Sequence, residues 1–359
     1  MAGQKEFFHR PRSLIFLLGI LSLVTGCREN KQAQLRVMTW TDYFREEAVA
    51  EFEKEQNVKV ILDYFSSNEE LLAKVQANIE AGGKGYDLIL PSDYMEPAMV
   101  RLQLLSPFDK LKLTFLSDFD SKFLKPAYDP ELAYGVPFAY GTTGIAINTK
   151  LLPKVDPNKG LSWKDFFENP EFKGKVTLLN DMREVFQAAL LAQGKHWSQA
   201  TEEDLRNAFE YLKKNKAQIK IFTEETVPVM THDECALCQS YSGDAYRTGA
   251  SKPELKFIVP KDGATVWTDN FAIPKNGGNA PLAYAFINKM MTTTSAADFT
   301  NLRYFATPNL KSKANVSPAI RQNIGIYPDA NTFRRLHFMS ERTDLLKLAD
   351  RLWTELKSQ

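Results

Sequence analysis

The sequence predicts an α/β protein of two domains. Strand and helix patterns alternate through residues 35–90, and a second alternation starts after residue 144. The length of 359 residues fits two domains at roughly 100–200 residues each. Apolar residues make up 44% of the chain and charged ones 25%, enough to build cores and too apolar for a mainly disordered chain. Lys and Arg total 45 against 44 for Asp and Glu, so the basic excess that a broad nucleic-acid-binding field requires is missing.

The N-terminus reads as an address. His9, Arg10 and Arg12 precede an apolar run from Leu14 to Val24. That run is shorter than the roughly 20 residues a membrane-spanning helix needs, and it suits the core of a secretory signal. It ends in Val24-Thr25-Gly26-Cys27, which resembles the lipobox of bacterial lipoproteins, where cleavage precedes an acylated cysteine. The alternative is an ordinary signal peptide with a chance cysteine. The expectation is a signal peptide over 1–26, a polar tether over 27–33 lipidated at Cys27, and a soluble body held at a bacterial membrane, in the periplasm or at the cell surface. No second apolar stretch approaches spanning length, so a channel or permease is not expected.

Along the body, Leu35–Trp40 alternates as a strand, and Ala48, Val49 and Phe52 recur at helical spacing within 44–56. Val58–Phe65 is a β-branched run. Leu71, Leu72, Val75 and Ile79 share a helical face that Gly82-Gly83 ends, and Tyr86–Leu90 is a third strand. This βαβαβ order implies a parallel sheet with right-handed crossovers, where ligands gather beyond the carboxyl ends of strands. Trp40-Thr41-Asp42-Tyr43 and Pro91-Ser92-Asp93-Tyr94 fall there. Pro137 is expected to break the chain within Gly135–Gly141, with a new strand starting at Gly144. Helices are expected at 162–168, after Asp181, and at 202–215, 280–292, 317–323 and 342–357, with strands at Lys175–Leu179 and Thr265–Pro274.

Six motifs then follow in order over nearly the whole body: Trp40-Thr41-Asp42-Tyr43, Tyr86 to Ser92, Asp181-Met182-Arg183-Glu184-Val185-Phe186-Gln187, Trp267-Thr268-Asp269, Thr307-Pro308-Asn309-Leu310 and Tyr327-Pro328-Asp329-Ala330. Their series resembles the spermidine/putrescine-binding proteins of bacterial ABC importers. The resemblance implies a two-lobed periplasmic-binding-protein fold, type II-like, with crossover strands as the hinge. Lobe one would take 34–140 and 269–308, and lobe two 141–268 and 309–359. It further implies polyamine capture in the interlobe cleft, delivery to ABC permease subunits, no cofactor, no catalysis and a monomeric body.

A polyamine needs acceptors for its ammonium groups and flat walls for its methylenes. Asp181 and Glu184 precede an apolar run in a pattern that also suits a helix N-terminal cap; the resemblance makes both ammonium acceptors. Trp267 and Asp269 are two apart on a strand and share a face. They read either as a core Trp beside a surface Asp or, by resemblance, as a methylene wall and an acceptor. Trp40, Thr41, Tyr43, Ser92 and Tyr94 are carried over as contacts, although Trp40 also suits a core edge and Ser92 a helix cap. Asp93 is left out of the site. Tyr241 stands where the family has a Trp, Phe305 where it has a Tyr, and Met339 near a family Gln; these departures bear on which amine is preferred, and fewer polar contacts favour a shorter diamine or another cationic amine.

Other readings compete. Cys235 and Cys238, after His232 and Asp233, suit buried thiols, a local disulfide or part of a metal site. Another cationic solute such as thiamine is the alternative ligand. An extracytoplasmic enzyme is disfavoured, since no nucleophile elbow, zinc-binding helix or phosphate loop is visible.

Overall fold

A computed structural model describes Met1, Gly3, residues 32–82 and residues 85–358. The apolar run and Cys27 therefore lie outside the described residues. Among the described residues no helix is long and apolar enough to cross a membrane. Residues 33–359 form one compact unit.

The first alternation is as the sequence predicts. β1 (Ala33–Trp40), β2 (Val58–Phe65) and β3 (Leu88–Ile89) make a parallel sheet in the order β2-β1-β3. Helix Glu46–Gln56 buries Val49 and Phe52, and it stops where Asn57 turns left-handed at φ 51°. Helix Asn68–Glu80 starts on the Ser67 side chain, which accepts from the Glu70 N–H.

β4 (Leu105–Ser106) is short. β5 (Val136–Asn148), β6 (Val176–Leu179), β7 (Ile219–Thr223), β8 (Leu237–Tyr241), β9 (Leu255–Ile258) and β10 (Ala264–Phe271) follow, then β11 (Ile273–Pro274), which pairs with β4, and β12 (Leu336–Phe338). The larger sheet runs β12-β10-β5-β8-β6-β7, with β9 also on β5.

β5 corrects the expected break at Pro137: the strand is continuous and buried throughout. The ladder with β10 pairs Ala139 with Asp269 and Pro137 with Asn270, leaving Phe138 as an extra residue. This bulge is where a proline, which has no N–H for the ladder, is tolerated. Phe138 turns into the core, with its ring centroid 4.8 Å from Phe271 and 4.7 Å from Phe299.

Two main apolar cores explain the two lobes. Val136, Phe138 and Tyr140 of β5 belong to the core around β1 and β2, while Ile145 and Ile147 belong to the one around Trp163, Phe166 and Phe186. β5 thus passes from one core to the other at Gly141-Thr142-Thr143-Gly144. β10 crosses beside it, with Phe271 in the first core and Val266 beside β12. Burying each such large side chain contributes about 1.5–3 kcal/mol.

Three other expectations change. Helix Thr293–Arg303 was not expected, and the helix before it ends at Met290. The strand expected over 265–274 divides at Ala272 into β10 and β11. Finally, Val316, Ile320 and Ile326 pack in the first core.

Candidate functional site

β10 supplies the axis of the site. Thr265, Trp267 and Asp269 alternate onto one face of the strand. The chain after β3 runs antiparallel to the far end of β10: Asp93 N–H donates to the Thr268 carbonyl at 2.9 Å, and Asn270 N–H to the Pro91 carbonyl at 2.8 Å. This pairing sets Ser92 opposite Asp269.

Asp269 is only 4% exposed, and hydroxyls satisfy it. Ser92 Oγ donates to Oδ1 at 2.6 Å, and the Tyr43 hydroxyl donates to Oδ2. Burial pushes the Asp269 carboxyl up to about 6, opposed chiefly by the Ser92 and Tyr43 hydroxyls. Burial, then the Asp269 charge, holds the Tyr43 hydroxyl protonated well above its ordinary range. Ser92 is not a helix cap: the helix starts at Glu96, with Met95 in the capping position. Asn68 instead anchors Ser92, donating to its Oγ at 3.0 Å and accepting its N–H at 2.9 Å, and it also donates to the Tyr94 hydroxyl at 3.0 Å.

Glu184 lies over the other end of the same face, 6% exposed. Thr143 Oγ1 donates to Oε1 at 2.8 Å and Thr265 Oγ1 to Oε2 at 2.7 Å. These threonines are cross-strand partners on β5 and β10. Burial, then the charge of Asp181, raises the Glu184 carboxyl to about 8. Asp181 does cap helix Met182–Leu191, accepting from the N–H groups of Arg183 at 2.9 Å and Glu184 at 3.1 Å through Oδ1 alone. Burial raises its carboxyl, and the Arg183 charge opposes that rise.

Rings fill the space between. Trp267 meets Tyr241 edge-on at 5.8 Å and Phe305 at 5.0 Å. Its indole N–H and that of Trp40 are buried with no hydrogen-bond partner. Gly141 lies directly across from Trp267, and a Cβ there would strike the indole. Gly141→Val is therefore expected to displace the Trp267 indole and to weaken binding of any ligand packed on it about tenfold, the scale of about 1.4 kcal/mol of lost apolar contact. Tryptophan fluorescence and titration would check this; an unshifted spectrum with unchanged affinity would contradict it.

The structure thus joins Tyr43, Ser92 and Asp269 directly, sets Trp267 and Tyr241 together, and places Asp181, Glu184 and Tyr94 around helix Met182–Leu191. Thr41 is exposed, and its side chain makes no hydrogen bond. Sequence reasoning missed Thr143 and Thr265, whose meeting with Glu184 depends on strand register. It also set aside Asp93, which is 0% exposed with Oδ2 unpartnered. Burial, then the Asp269 charge, pushes the Asp93 carboxyl well above its ordinary range.

Met339 packs in the second core. Cys235 and Cys238 are joined as a disulfide with Cα atoms 6.0 Å apart, both buried. Asp233, weighed as a metal ligand, is engaged by Lys150 and Lys252. A shallow groove of about 600 Å³ between helices Glu46–Gln56 and Thr293–Arg303 shares none of the site residues, and its charges pair locally, Arg303 with Asp42 and Arg45 with Glu47 and Asp298.

Comparison with known proteins places this arrangement. A family described as bacterial extracellular solute-binding protein matches residues 47–326. The spermidine/putrescine-binding periplasmic protein 1 of Haemophilus influenzae is 32% identical over 321 residues, covering 89% of this chain and 88% of that protein. The spermidine/putrescine-binding periplasmic protein of Escherichia coli K12 is 30% identical over 343 residues, covering 95% of this chain and 96% of that protein. The solved structure of the spermidine/putrescine ABC transporter substrate-binding protein PotD from Streptococcus pneumoniae superposes with a TM-score of 0.80 at 27% identity, covering 91% of this chain and 99% of that one.

Proposed function

The chain belongs to the bacterial extracellular solute-binding protein family, and from that premise we propose that it captures a polyamine between its lobes and hands it to the permease of an ABC importer. One observation carries the reading. Asp93, Glu184 and Asp269 are buried acids, and among the described residues no lysine or arginine pairs with any of them. A buried carboxylate is costly unless a cation meets it. Here only hydroxyls and backbone N–H groups do, and the Trp267 indole stands on the same strand face between Thr265 and Asp269.

Spacing supports a linear ligand. Four residue steps lead from Thr265, which holds Glu184, to Asp269, a span of roughly 13 Å at about 3.3 Å per residue. Trp267 lies between them, where it can cover methylenes. A charge-assisted hydrogen bond contributes about 1.5–3 kcal/mol, and a micromolar complex needs about 8 kcal/mol. Two or three carboxylates and an aromatic wall reach that after ordering costs. Capture needs no covalent step, and none is included.

Lobe one is taken as 34–140 and 269–308, joined by the segment around Val316 to Ile326 that shares its core. Lobe two takes the rest of the body. Ligand bridging both lobes favours their closure through its differential affinity. Acylation at Cys27, a monomeric body and an extracytoplasmic, lipid-anchored location complete the proposal.

Calorimetric titration with putrescine, spermidine, spermine and thiamine tests it. A polyamine should bind at one site with micromolar affinity or better. Glu184, raised to about 8, is mostly protonated at neutral pH and must ionise to receive an ammonium. Binding should therefore release protons, read as a heat that varies with the buffer. Affinity should rise between pH 6 and 8 by up to about tenfold per unit. Heat from thiamine alone would refute the polyamine reading.

A further inference from the structure

Arg183 sits between the two acids of the helix Met182–Leu191 start, yet its guanidinium leaves them. Nη1 lies 2.8 Å from Glu69 Oε1, and the guanidinium carbon stands 4.2 Å above the centre of the Tyr94 ring. The Arg183 side chain is 13% exposed and that of Glu69 56%. Glu69 opens helix Asn68–Glu80, which follows β2, and Tyr94 follows β3; both strands belong to the first sheet. Arg183 follows β6 of the larger sheet. Its side chain therefore spans the two halves of the protein. Asn68 holds the Tyr94 ring in place through the hydroxyl. A second tie between the halves joins Arg101 to Glu341.

We propose that Arg183 is a closure latch, a positioning residue that holds the helix carrying Asp181 and Glu184 against the first lobe and sets how long the ligand stays. It rests on the capture reading above. Arg183 gives the second lobe a contact on the first that does not pass through the ligand. A tie that forms only when the lobes meet slows their parting and leaves their encounter almost unchanged. The Glu69 end is exposed, so salt should weaken it. The ring contact is shielded and should not respond to salt in the same way.

Glu69 is the residue to change, because it lies outside the proposed ligand contacts. Stopped-flow tryptophan fluorescence would follow spermidine association and release. Glu69→Lys is expected to raise the release rate about five- to tenfold, the scale of one ion pair and the repulsion replacing it. Association should stay within about twofold. Release from the native protein should quicken as NaCl rises from 50 to 500 mM, and Glu69→Gln should lose that response. A merely structural role for Glu69 would not carry a salt signature. Release rates and salt response unchanged in both variants would overturn the latch. If the native protein binds no polyamine, the capture reading fails and small-angle scattering decides the latch alone. Glu69→Lys should then have a larger radius of gyration than the native protein at low salt, and an equal radius would overturn it.

Discussion

Replacing Asp269 by alanine is expected to lower polyamine affinity at least a hundredfold. Two losses add. The ammonium loses a charge-assisted hydrogen bond of about 1.5–3 kcal/mol. The Ser92 and Tyr43 hydroxyls, which both donate to this carboxylate, lose their acceptor inside a buried site. At about 1.4 kcal/mol per tenfold, a sum near 3 kcal/mol gives the hundredfold. Asp269→Asn separates charge from shape, since the amide keeps one acceptor oxygen for a hydroxyl. It should lose most of the affinity while folding as well as the native protein. Titration calorimetry with spermidine on both variants, with thermal melts as the folding control, decides this. A loss below about threefold in a folded Asp269→Ala protein would remove Asp269 from the site.

Glu184→Gln is the second large effect, and it shows in the melting curve as well as in binding. At pH 8 the polyamine affinity should fall about 10- to 100-fold, for the same charge-assisted bond. Without ligand, the variant should melt higher than the native protein at that pH. The Glu184 carboxyl is raised to about 8 in the folded protein, against about 4.3 for an unfolded glutamate. The folded state thus holds this proton more tightly. Its contribution to stability is complete below pH of about 4.3 and is lost as pH rises through about 8. The glutamine cannot titrate, so its melting temperature should change less between pH 5 and pH 8. Thr143 and Thr265 can rotate their hydroxyls to meet the amide, which preserves the packing. Parallel melting curves for the two proteins would show that Glu184 is not buried in its charged form.

Much of this was legible in the residues. The first alternation is local, and its strands and helices follow from period and from the stop at Gly82-Gly83. The acids Asp181, Glu184 and Asp269 are singled out by the family resemblance; their local setting alone suits a helix cap or a surface Asp equally. Other features depend on distant partners. β5 looked broken because Pro137 ends most strands; the bulge at Phe138 that accommodates it exists only against β10. Helix Thr293–Arg303 was hidden by its opening threonines, which lack helical preference and are used here for the Thr292 cap. Ser92, carried over as a contact, also suits a cap by its neighbours, whereas the antiparallel run beside β10 assigns its hydroxyl to Asp269. Thr143 and Thr265 carry no local mark, since any buried strand can contain threonine.

The extra residue at Phe138 carries a consequence for descent. A two-against-one step coils a ladder more tightly than its neighbours do, and here that step adjoins Asp269, the acid proposed to meet an ammonium. A substitution that rebuilds residues 137–139 is expected to shift Asp269 and the β5–β10 crossing together. Under the proposed capture, taste in ligand and range of opening would be one heritable trait rather than two.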